Sequence, residues 1–139
     1  MPCLEVIMPE TSTDVKKILS ERLTQAFTES TGFSKEIFGI HYIEYEYNQT
    51  VSGGELSRGE NRPYLHLKFY SPRLRRSVKQ KVVKALTDSF VKCLGKPDWK
   101  PVIHLMEHPY DNVGVDGQLL SDAYEDCRKR KFYYDLPAD

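Results

Sequence analysis

Pro2 stands directly after the first residue, and the strand-like run Cys3-Leu4-Glu5-Val6-Ile7-Met8 follows it. Removal of Met1 would leave Pro2 with a free secondary amine held at the start of a buried strand. An amino terminus titrates near neutrality, and desolvation or nearby cations lower its pKa further. Such a base suits abstraction of a proton beside a carbonyl. The second chemical cluster is Arg73-Leu74-Arg75-Arg76-Ser77. Planar guanidinium groups bind carboxylates bidentately, although composition alone would suggest a solvated basic cap. His41 with Glu44, and His104 with Glu107, have the composition of metal ligands. Strand residues three apart face opposite sides, so neither pair is expected to chelate one ion, and packing is the better reading. Cys3 reads as a small buried hydrophobe rather than a nucleophile.

The elements that must position these residues fit a chain of 139 residues, enough for one compact domain with a real core. Acidic and basic residues balance at 20 each, which gives no argument for nucleic acid or a membrane surface. The aromatic strand Tyr64–Tyr70 superficially resembles an RNA-binding sheet, but the basic-Gly-aromatic signature is missing. No apolar run approaches a membrane span, and the early charged residues argue against a secretory signal. Cys3, Cys93 and Cys127 are odd in number and widely spaced, so free thiols and a cytoplasmic location are expected.

The sequence repeats. Residues 15–56 laid on 78–119, a shift of 63, give twelve identities: Val15/Val78, Lys16/Lys79, Leu23/Leu86, Thr24/Thr87, Phe27/Phe90, Gly32/Gly95, Ile40/Ile103, His41/His104, Glu44/Glu107, Tyr47/Tyr110, Gly54/Gly117 and Leu56/Leu119. The first strands match at a shorter offset, with Pro2, Leu4 and Val6 against Pro63, Leu65 and Leu67. Each unit reads strand, helix, strand. Val15, Ile18, Leu19, Leu23, Ala26 and Phe27 form one helical stripe, and Val78, Val82, Ala85, Leu86, Phe90 and Cys93 form the other. Thr11, Ser12 or Thr13 can cap the first helix, and Gly32 and Gly95 suit helix ends. Right-handed crossovers put both helices on one face of a four-stranded sheet, giving an α/β (α+β) βαβ-βαβ fold. The opposite face would present Tyr, His and Met side chains whose burial in an oligomer is the natural solution. The expected organisation is one domain over 1–139, made of pseudo-repeats 1–57 and 63–120. A Gly-rich connector spans 48–62, and a charged tail over 121–139 ends in Phe132-Tyr133-Tyr134, placed to pack on a neighbouring subunit.

Three features carry a family resemblance: Pro2 after the initiator Met, the hairpin-like Ser52-Gly53-Gly54-Glu55-Leu56, and the segment Glu107-His108-Pro109-Tyr110-Asp111-Asn112-Val113-Gly114-Val115-Asp116-Gly117. In register with the repeat they resemble the tautomerase superfamily of 4-oxalocrotonate tautomerase and macrophage migration inhibitory factor, in its fused two-unit form. The resemblance implies a tautomerase/MIF-like homotrimer in which Pro2 is the general base for keto–enol isomerisation of a 2-oxo acid or 2-hydroxy-2-enoate. It also implies that Arg73 and Arg76 bind the carboxylate of a small-molecule substrate, with no metal and no organic cofactor. Their spacing is similar to the arginine pair of the cis-3-chloroacrylic acid dehalogenase branch. Arg75, His104 and Val113 complete the expected pocket, His104 standing near a tyrosine of that branch and Val113 where an aromatic residue is common. Phe27 replaces that branch's water-activating histidine, which favours plain tautomerisation. The competing reading is a non-catalytic trimer that binds a ligand or protein, or a hydratase, decarboxylase or dehalogenase of the same fold.

Overall fold

The computed structural model describes residues 2–59 and 62–124. Met1, Cys127 and the expected tail beyond 124, with its Phe132-Tyr133-Tyr134 end, lie outside the described residues. The first unit comprises β1 (Cys3–Pro9), α1 (Thr13–Thr31), β2 (Gly39–Tyr45) and the hairpin β3 (Val51–Ser52) and β4 (Glu55–Leu56). The second repeats it as β5 (His66–Ser71), α2 (Arg76–Leu94), β6 (Val102–Glu107), β7 (Gly114–Val115) and β8 (Gln118–Leu119), then adds a short helix α3 (Leu120–Ala123).

Local chemistry sets these boundaries. Ser12 caps α1 by accepting the Val15 amide at 3.2 Å, and Gly32 and Gly95 end the two long helices in the left-handed conformation. Both hairpins turn on two left-handed residues, Gly53-Gly54 and Asp116-Gly117, as their tight primed turns require.

The sheet order is β2-β1-β5-β6, with parallel outer pairs and an antiparallel centre. Alternation sends Leu4, Val6, Met8, Leu65, Leu67 and Phe69 into the core, where they meet Leu19, Leu23, Phe27, Val82, Leu86 and Phe90 of the helices. Phe27 is fully buried and stacks on Phe38, with centroids 4.0 Å apart. Ile18 departs from its expected stripe and is 54% exposed, lining a groove between α1 and α2.

The opposite face is bare in the single chain. Ile43, Val102 and Met106 stand exposed there, alongside the half-buried pair His66 and Tyr70. Glu5 and Lys68 face each other at the centre, a charged pair that the alternation pattern also places on this side.

The register corrects one sequence reading. Cys3 pairs with Gly39 and His66 with Val102, so the shift of 63 holds through the first strands. The Gly39 amide donates to the Pro2 carbonyl at 3.4 Å, and the Val102 amide to the Leu65 carbonyl at 2.9 Å. Leu65, not Pro63, is therefore the counterpart of Pro2. A slip of two residues keeps every side chain on its own face, so hydrophobic patterning could not reveal it.

Candidate active site

Pro2 is buried at the mouth of β1, where the antiparallel pairing Cys3 to Tyr70 brings it beside the end of β5. There it lines a cavity of 480 Å³. Cys3, Tyr70, Ser71, His108 and Asn112 give the polar part of the wall. Phe33 and Ile37, from the connection after α1, face Val113, Leu120 and Tyr124 across the apolar part. The Tyr70 and His108 rings stack at 5.7 Å and 13°. Burial, followed by the nearby Glu5 carboxylate, raises both the Tyr70 hydroxyl and the Cys3 thiol above their ordinary values. Cys3 is accordingly a protonated thiol near neutral pH rather than a ready nucleophile.

The expected site residues divide into three groups. Pro2 and Val113 share the cavity. Arg75 stands at the N-cap position of α2 without a side-chain cap bond, Arg76 is the first helical residue, and Arg73 directly follows the wall residue Pro72; all three are exposed and none lines the cavity. His104 lies elsewhere. Alternation on β6 turns Ile103, Leu105 and Glu107 toward the helices and His104 to the open face, where its Nδ1 is 2.6 Å from His66 Nε2.

Glu44 and Glu107 have partners that sequence reasoning overlooked. Lys16 holds Glu44 at 2.7 Å, and Lys79 pairs with Glu107 in the same way. The Lys16 contact, with the Thr11 amide, holds the Glu44 carboxyl below its usual range. Lys and Glu recurring together at the repeat shift were the available signal. Among the described residues no cluster of three metal-ligating side chains occurs, and no helix is long and apolar enough to cross a membrane. The cavity residues Tyr70, His108, Phe33, Ile37, Leu120 and Tyr124 also escaped the sequence reading, because the antiparallel β1–β5 pairing, the parallel β1–β2 pairing and α3 bring them to Pro2 from distant parts of the chain.

Residues 63–123, the second repeat, match the family model described as Tautomerase enzyme. No curated protein matches the chain in sequence. Among solved structures, one described as native fused 4-OT superposes with a TM-score of 0.79 at 21% identity, covering 86% of this chain and 97% of its own. The R7 fused 4-OT asymmetric trimer gives 0.78 at 18% identity, over 87% and 98%. Pt0534 inactivated by 2-oxo-3-pentynoate gives 0.75 at 20%, over 87% and 97%. The chain thus has the tautomerase/MIF-like fold in its fused two-unit form.

Proposed function

We propose that this protein is a tautomerase-like enzyme in which the free amine of Pro2, exposed by loss of Met1, moves a proton on a 2-oxo acid or 2-hydroxy-2-enoate. The observation that carries the reading is the burial of Pro2 against a 480 Å³ cavity at the start of a central strand. A largely apolar wall disfavours the ammonium form, so the amine is available as a base near neutral pH. Pro2 takes the proton from the carbon beside the carbonyl and returns it at the alternative position of the enol system. Arg73 and Arg76, at the positive end of α2, hold the substrate carboxylate and stabilise the enolate charge as it develops. Arg73 occupies the register position that Glu10 holds in the first unit, where Glu10 lines a smaller depression. That placement supports a rim location for the arginine and a carboxylate preference at this end alone.

The bare sheet face and the trimeric state of the R7 fused 4-OT support a homotrimer here, with exposed Ile43, Val102 and Met106 covered by neighbouring copies. Exchange of the C3 protons of 2-oxo acids in heavy water tests the chemistry, alongside intact-mass measurement of the mature chain. Exchange that requires Pro2 and a mass lacking Met1 are expected. A chain that keeps Met1, or exchange no faster than background, would favour the non-catalytic binding scaffold, and undiminished exchange in Pro2→Ala would assign the base to another group.

A further inference from the structure

The two repeats end on the same backbone bond with opposite side-chain chemistry. The Ser57 amide donates to the Thr50 carbonyl at 2.8 Å, and the Leu120 amide donates to the Val113 carbonyl at 2.8 Å. In the first unit the two side chains are hydroxyls, bonded to each other at 3.0 Å. In the second they are the apolar Val113 and Leu120, and both line the Pro2 cavity. The chain then continues into α3, which carries the half-exposed Tyr124 to the rim of the same cavity. Phe33 faces this wall, where the first unit's depression has Lys96 at the matching position.

We infer that Val113 and Leu120, with Phe33 and Tyr124, form an apolar subsite that selects a monocarboxylate 2-oxo acid bearing a hydrocarbon chain of medium length over short or dicarboxylate analogues. This rests on the catalytic reading of Pro2 for its chemistry, but not for its binding. A cavity of 480 Å³ far exceeds what a three-carbon acid fills. Cys3, Tyr70 and Ser71 stand beside Pro2 on the paired strands β1 and β5, so a carboxylate and carbonyl held there leave the remaining chain to the apolar wall. A second carboxylate at the far end would lie among Phe33, Val113 and Leu120, none of which carries a positive charge to balance it, which is costly.

The test is a homologous series from 2-oxobutanoate to 2-oxooctanoate, with 2-oxoadipate as the dicarboxylate, followed by C3 proton exchange. In parallel, calorimetry measures binding of the saturated acids from butyrate to octanoate. Each added methylene should raise kcat/KM and affinity about fourfold until the wall is covered, and 2-oxoadipate should fall well below its chain-length peers. Installing the first unit's residues, Val113→Thr with Leu120→Ser, should flatten the slope to about twofold per methylene or less. Val113→Thr alone, nearly isosteric, keeps the test readable should the double variant fail to fold. Chain-dependent binding without exchange would leave the subsite standing and defeat the Pro2 chemistry. Exchange with a flat series, or a preference for 2-oxoadipate, would overturn the subsite and leave the chemistry standing.

Discussion

The two ends of the sheet are built on one plan and differ in what the chain does upstream of the central strand. At the Pro2 end a cavity of 480 Å³ remains open. At the Leu65 end the chain continues backward through Tyr64, and the Tyr45 hydroxyl donates to the Tyr64 carbonyl at 2.6 Å. Burial pushes that hydroxyl up to about 12. Tyr47 packs edge-on to Trp99, and Lys96 Nζ sits 3.7 Å above the Trp99 ring, leaving a depression of only 180 Å³. By register, Tyr45 answers to His108 of the Pro2 end. The other end filled its space with aromatic rings, and Glu10 stands where the first has Arg73.

The largest expected effect separates these ends. Pro2→Ala should reduce proton exchange by roughly 10²-fold or more, the range set by loss of a general base, while Tyr45→Phe should leave exchange unchanged. Comparable losses from both would mean that the closed end also takes part in catalysis.

The charge contrast comes next. Arg73→Ala and Arg76→Ala should each cost about 2–4 kcal/mol in kcat/KM for a carboxylate substrate, with Glu10→Gln near neutral. An unaffected Arg73/Arg76 double variant would reduce these arginines to a solvated cap.

A smaller effect should mark the closed end as structural. Tyr45→Phe removes one solvent-exposed hydrogen bond and should lower unfolding stability by about 0.5–1 kcal/mol in urea titration. A larger change would show that the Tyr45–Tyr64 bond anchors more than its own loop.

The smallest effect concerns acid stability on the open sheet face. Burial, then the His104 ring, holds His66 below its ordinary 6.5. Just below pH 6.5 the unfolded chain binds a proton that the folded chain refuses. Stability should therefore fall as pH drops through that window and level off below the folded pKa. His66→Gln should flatten this part of a melting-temperature profile; an unchanged profile would assign the acid sensitivity to other groups.

Much of this was legible in the sequence because it was written twice. The helical stripes, the Gly32 and Gly95 stops and the alternation of Leu65, Leu67 and Phe69 each follow from local periodicity. Ile18 was not legible, since a helical stripe does not say how wide the neighbouring helix is, and the groove beside α2 leaves it exposed. The Pro63 register error arose because period-two patterning is blind to a slip of two. Within the site, Pro2 and Val113 came from the chain's motifs, whereas Tyr70, His108 and Phe33 reach Pro2 through long-range strand pairing that no local pattern encodes. His104 was assigned to the pocket by likeness, and the alternation of β6 places it with His66 instead.

The central claim is that Pro2 supplies a free, neutral amine to the open cavity, and an electrophilic acetylenic acid tests it most directly. The inactivation of Pt0534 by 2-oxo-3-pentynoate makes that acid a suitable probe. After incubation and digestion, fragment ions can separate Pro2 from its neighbour Cys3 within the N-terminal peptide. A single adduct on the Pro2 nitrogen, accompanied by loss of exchange and prevented by Pro2→Ala, is the predicted result. An adduct on Cys3 or Cys93 with Pro2 unmodified would contradict the account.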